Sequence, residues 1–191
     1  PAGLAFREAA GFSLEYANLY YGLDDGSLQE NHVVYCANIF PNQGIGLAWN
    51  NRSLADVYTE NEFILGFAAQ PIPAVPLWAG LSLKMFYLGY TDSHLGMNPY
   101  FDRGREKYQF GLDAGILFNV LEETEGLPGI RAGVSLVDLN QPDLGLRSEA
   151  RQPLELRAAV AGIYQDWDTD LELVMAFGQV QFHAGVEKWF S

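Results

Sequence analysis

Leu77-Trp78-Ala79-Gly80-Leu81-Ser82-Leu83-Lys84-Met85-Phe86-Tyr87 is the stretch that decides the fold. Leu77, Ala79, Leu81, Leu83, Met85 and Tyr87 share one parity, while Gly80, Ser82 and Lys84 take the other. A period of two belongs to a β-strand, whose side chains point alternately to opposite faces. One face of this strand is apolar and the other carries small, polar and charged groups.

The same alternation recurs before and after it. Phe12, Leu14 and Tyr16 oppose Ser13 and Glu15, and Val33, Tyr35, Ala37 and Ile39 oppose His32, Cys36 and Asn38. Ile45, Leu47 and Trp49 oppose Gly46, Ala48 and Asn50, and Phe63, Leu65 and Phe67 oppose Glu62, Ile64 and Gly66. Further on, Phe110 to Phe118 alternate with Gly111, Asp113 and Gly115, and Ile130 to Leu136 with Arg131, Gly133 and Ser135. Leu154 to Val160 alternate with Glu155 and Arg157, Leu171 to Phe177 with Asp170 and Glu172, and Phe182 to Val186 with His183, Gly185 and Glu187. The spacing predicts about ten antiparallel strands in a single all-β domain over residues 1–191. Pro41-Asn42-Gln43-Gly44, Gln165-Asp166-Trp167-Asp168 and Gly178-Gln179 read as tight turns. Residues 90–107 and 140–153 read as longer loops, so short turns are expected on one rim and long loops on the other.

Alternation alone does not say which face is wet, because lipocalin-like barrels and β-sandwiches alternate as well. Three features point to lipid. The longer runs match the ~9–11 residues of a tilted membrane-crossing strand. Charges avoid the apolar parity: Lys84, Asp113, Arg131, Glu155, Arg157, Glu172 and Glu187 all fall on the other one. An Arg or Lys on the lipid face near the midplane costs about 2–4 kcal/mol, so lipid would enforce that separation. Aromatics cluster toward strand ends (Tyr20, Tyr21, Phe40, Trp49, Tyr87, Tyr90, Tyr108, Tyr164, Trp167, Trp189, Phe190), as in the girdles of membrane barrels. The polar parity is also rich in small residues, Gly46, Ala48, Gly80, Gly111, Gly115, Gly133 and Gly185, which leave room for a plug or a lumen.

The bulk properties agree. The chain has 191 residues, 49% of them hydrophobic, and a formal net charge of −13, which argues against a phosphate-neutralising nucleic-acid binder. Mean hydropathy is −0.03, and no run approaches the ~18 apolar residues of a membrane helix. Pro1 to Phe6 carry neither the basic nor the apolar region of a signal peptide.

No enzymatic constellation or cofactor motif is legible. His32, His94 and His183 are far apart and lack zinc-type spacing, no G-x-S-x-G elbow occurs, and Cys36 is the sole cysteine. Asp24-Asp25 with Glu30, and Glu122-Glu123 with Glu125, could take Ca²⁺ but read more simply as solvated loops. The residues that carry a functional expectation are the seven charges of the polar parity. They are expected to form a lumen-facing network that holds an interior plug or lines a polar path, with Arg131 and Asp113 among its members.

Four short stretches resemble FadL-like and PorV-like outer-membrane proteins. They are Pro1-Ala2-Gly3-Leu4-Ala5, Gly44-Ile45-Gly46-Leu47-Ala48-Trp49, Leu136 to Gly145 with its Asn140-Gln141-Pro142-Asp143 core, and His183-Ala184-Gly185-Val186-Glu187-Lys188-Trp189-Phe190. The resemblance implies an up-and-down transmembrane β-barrel in the outer membrane of a Gram-negative-type bacterium, with 14 strands of which about ten are present here. It also implies a non-enzymatic role without a cofactor, either passage of hydrophobic compounds or type IX protein secretion. The partners it implies are outer-membrane lipid, together with secretion-machinery proteins, exported cargo or hydrophobic small molecules. The interior hatch of such proteins would be expected upstream of Pro1. Two alternatives are a soluble β-barrel or sandwich binding a small apolar ligand, and an adhesin-like structural barrel.

Overall fold

The computed structural model describes residues 1–6, 10–19, 28–54, 57–90, 105–122, 124, 128–146 and 148–188. The strands are β1 (Gly11–Leu19), β2 (Leu28–Phe40), β3 (Gln43–Leu54), β4 (Tyr58–Ala69), β5 (Leu77–Tyr90), β6 (Glu106–Leu121), β7 (Gly129–Val137), β8 (Glu155–Tyr164), β9 (Trp167–Ala176) and β10 (Gln179–Lys188). They form one antiparallel up-and-down sheet in sequence order. The fold is all-β, with a 3-10 helix at Ala2–Phe6. β1 and β10 each have a strand neighbour on one side only, so the sheet is open.

Tight hairpins explain part of the order. Asn42 (φ 61°), Gln165 (φ 54°) and the pair Phe177 (φ 50°) and Gly178 (φ 73°) adopt the left-handed conformations that two-residue hairpin turns require. The long connection 138–154 lies at the opposite rim from the Pro41-Asn42 and Gln165-Asp166 turns, as expected. Phe177-Gly178 departs from that rule, since it is a tight turn on the long-loop rim.

Hydrogen-bonded rows slide along the strands from one side of the sheet to the other. The row Ala37–Ile45–Phe67–Leu81–Ala114–Leu136–Leu156–Met175–Val180 crosses β2–β4 near their short-turn ends. It leaves β7–β10 at their long-loop ends. Such a slide is what strands tilted against a barrel axis show.

The two faces are unlike. Among the described residues 33 large apolar side chains are exposed, including Phe12, Leu65, Leu81, Phe110, Leu171 and Phe182, while only nine apolar residues are buried. In β5, Leu81 is 65% exposed and its neighbour on the opposite parity, Lys84, is 4% exposed. A water-soluble sheet buries its apolar face; this one leaves that face exposed and instead buries Ser82, Lys84, Asp113 and Asp138 on the opposite side. The polar face also carries the 3-10 helix, which touches β2 to β6; it is called the inner face below.

Candidate functional site

At the centre of the sheet the inner face is covered in three layers. The lower layer, near the short-turn rim, is the N-terminal helix. Ala5 packs with Ala68 and Trp78, and Leu4 and Leu117 close the cluster. Inner-face glycines make the bed for it. A Cβ on Gly80 would lie 2.5 Å from the Ala2 nitrogen, and one on Gly44 would collide with the Leu4 carbonyl. The room that Gly44, Gly46, Gly66 and Gly80 leave is therefore occupied by Pro1 to Ala5.

The next layer is an ion cluster. Lys84 reaches Asp113 Oδ1 at 2.8 Å and Asp138 Oδ1 at 2.5 Å, and all three residues are buried. Ser82 Oγ donates to Asp113 Oδ2 at 3.0 Å, and the Asp138 backbone N–H donates to Asp113 Oδ1 at 2.9 Å. One ammonium thus answers two carboxylates, and neutral donors satisfy further lone pairs, as a buried charge requires.

Above the cluster, the described residues beyond Asn140 leave the wall and lie over the inner face. Leu144 packs on Phe86 and Leu88, with Tyr58 beside them. Lys107 reaches Asp143 Oδ2 at 3.1 Å and also donates to the Gly145 carbonyl. Asp143 accepts from the backbone N–H of Ala150 (2.8 Å) and of Gly145 (3.0 Å). Those two hydrogen bonds, helped by Lys107, hold its carboxyl down at about 2.

The inner face of β1–β4 holds a third polar group, a recess of about 390 Å³ lined by Glu15, Glu30, His32, Asn50, Arg52 and Glu62 among others. Arg52 Nε pairs with Glu30 at 2.7 Å, Asn50 Nδ2 donates to Glu62 at 2.7 Å, and His32 meets the Asn50 amide oxygen. Cys36 is buried on the same face, its Sγ 3.7 Å from the Gly11 carbonyl.

The seven charges expected to form a network lie on strands that place them all on the inner parity, but they form separate groups. Lys84 and Asp113 meet. Arg157 pairs with Glu155 along β8 at 2.7 Å, and Glu172 meets His183 across β9 and β10 at 3.1 Å. Arg131 stands opposite Asn119, six residues along β6 from Asp113 and so about 20 Å away. Lys84, not Arg131, is the cation of Asp113. Glu187 stands opposite Asp168 at the end of β10. His94 and the clusters around Asp24 and Glu123 lie outside the described residues.

Asp138 was missed for a physical reason. Its even number would point it outward with Leu136, but φ 55° turns it inward. Tyr90 departs in the other direction: expected in the outer girdle, it lies on the inner face, its ring tilted against that of Tyr58 with centroids 5.1 Å apart.

The outer face has a sharp upper boundary on β1–β6. The row Tyr16–Asn31–Asn51–Asn61–Tyr87–Tyr108 runs unbroken across six strands. Asn31 Nδ2 donates to Asn51 at 3.1 Å, Asn51 Nδ2 donates to Asn61 at 3.1 Å, and the rings of Tyr87 and Tyr108 lie 4.9 Å apart. The next outward row below is wholly apolar: Leu14, Val33, Trp49, Phe63, Met85 and Phe110. Trp49 spans the boundary, its ring near Phe63 and its Nε1 on Asn61 at 3.0 Å. At the opposite end of the sheet Tyr164 pairs with Trp167, and Lys188 Nζ sits 4.8 Å over the Trp167 ring.

Compared with known proteins, the chain matches no family model, no curated protein and no solved structure.

Proposed function

We propose that this chain is the wall of an outer-membrane β-barrel of the PorV/FadL-like type, acting in protein secretion or in passage of hydrophobic compounds. The observation that carries the reading is the inverted burial: the apolar face is bare, while Lys84, Asp113 and Asp138 on the other face are buried. Lipid is the environment that stabilises such a sheet.

The dimensions support it. On β5 the outward residues from Leu77 to Tyr87 span ten residue steps, roughly 33 Å along the strand, which a tilt of about 40° brings to roughly 25 Å, the usual height of the apolar band. Amides and tyrosines bound that band above and Tyr164 with Trp167 bound it below, where headgroups would lie. In hydrocarbon the free edges of β1 and β10 would leave backbone groups unsatisfied. Completion by further strands, as in the 14-stranded barrels that the resemblance implies, fits those edges.

A soluble barrel holding a small apolar ligand would need an apolar interior. Three apolar grooves, of about 630, 600 and 580 Å³, instead lie on the outer face, while the inner face holds the helix, the ion cluster and the polar recess.

The test is refolding from urea in the presence of lipid vesicles. The membrane reading expects vesicle association that resists carbonate washing, together with a heat-dependent shift in gel mobility. A monodisperse, β-rich protein in detergent-free buffer that ignores vesicles would overturn it.

A further inference from the structure

We infer that residues 141–153 form a hinged flap over the inner face, with Gln141 as its hinge and Leu144 and Lys107 as its latch. The inference rests on the barrel reading for its functional meaning, since only in a barrel does this face become an interior.

The root of the flap is fixed. Beyond β7 the chain continues the wall for three residues: the Leu139 N–H donates to the Leu112 carbonyl at 2.8 Å, and the Asn140 side chain substitutes for a strand. Its amide donates to the Phe110 carbonyl at 2.6 Å and its oxygen accepts from the Leu112 N–H at 3.0 Å. Asp138, tied to Lys84, anchors the same root from the inner side.

Gln141 is where the path changes. It adopts φ 48°, a left-handed conformation disfavoured for a residue with a Cβ, and its N–H donates to the Asp138 carbonyl at 2.8 Å. Beyond it the chain forms a compact unit: Leu144 N–H to the Ala150 carbonyl at 3.0 Å, Gln152 N–H to the Pro142 carbonyl at 2.9 Å, and a bridge between Asp143 and Arg151. A compact unit that leaves the wall at Gln141 and rejoins it at β8 is built to move as one body, with the change of path taken up at its ends.

The latch is small by comparison. One apolar side chain, Leu144, enters the socket of Phe86, Leu88 and Tyr58, and one part-exposed ammonium, that of Lys107, holds Asp143 and Gly145. Among the described residues the N-terminal helix covers the lower inner face of β2–β6 and Leu144 of the flap covers Phe86, Leu88 and Tyr58 above it, so release of the flap exposes those three side chains while the lower layer stays in place.

The test is hydrogen exchange, read by peptide, on the folded chain in detergent micelles. Combining Lys107→Met with Leu144→Ser is expected to speed exchange in 141–153 at least tenfold and to leave β5, β6 and residues 1–6 unchanged. In a Cys36→Ala background, a disulfide between Leu88→Cys and Leu144→Cys should slow exchange in the same peptides below that of the reduced form. Unchanged exchange of 141–153 in the double variant would overturn the flap, and so would an equal rise across β5 and β6, because either outcome denies it independent motion. Failure of the membrane reading appears separately, in the vesicle assay, and leaves this readout intact.

Discussion

Lys84 is the residue on which the buried ion cluster depends. Its ammonium faces two buried carboxylates, so Lys84→Met would leave Asp113 and Asp138 without a counter-charge. Removing one partner of a buried pair costs about 3–5 kcal/mol. That loss should appear as a fall in the midpoint of urea unfolding, whereas Glu155→Gln, at the exposed pair with Arg157, should shift it by less than about 1 kcal/mol. Gly80 is the second sensitive position. A Cβ there meets the Ala2 backbone at 2.5 Å, so Gly80→Ala should expose residues 1–6 to protease while the sheet persists, at a cost of about 1–3 kcal/mol. Asp143 gives a pH dependence of known sign. Its folded value of about 2 lies below the ordinary 3.8, so its contribution is complete above about pH 4 and is lost as pH falls toward 2. Exchange in 141–153 should therefore accelerate between about pH 4 and pH 2, and Asp143→Asn should remove that step.

Parity made the strands legible before any coordinates. β5 and the core of β6 have the faces that Leu77 to Tyr87 and Phe110 to Phe118 prescribe, because a one-residue slip would exchange the faces, and β5 runs on to Tyr90 while β6 begins at Glu106, inside the stretch expected as loop. Assignment of the seven charges to one parity followed from the same periodicity. What alternation does not carry is long-range choice. Nothing local says that Lys84 selects Asp138 over other carboxylates, or that Pro1 to Ala5 settle against glycines of β3 to β6. Asp138 and Gln141 escape parity altogether, because a left-handed residue breaks the period at its own position. Strand faces also set the cost of outward charge. Leu83→Arg, at mid-band on β5, should destabilise the vesicle-inserted protein by about 2–4 kcal/mol, and the same change at Thr59, above the amide row on β4, by about 0–1 kcal/mol. Urea titration of inserted protein measures both.

For the molecule as a whole, the sheet bares its apolar side and buries charge at its centre, at Lys84, Asp113 and Asp138, and on β1–β6 the amide and tyrosine row lies directly above a wholly apolar one. The hydrophobic effect cannot stabilise that arrangement in water, so the environment of the outer face is the central question. Spin labels at Leu81, Ser82 and Leu83, introduced one at a time in a Cys36→Ala background and reconstituted in vesicles, answer it most directly. Labels at Leu81 and Leu83 should collide readily with dissolved oxygen and hardly at all with a water-soluble nickel chelate, while Ser82 should resist both. Nickel accessibility exceeding oxygen accessibility at Leu81 and Leu83 would place the apolar face in water and contradict the account.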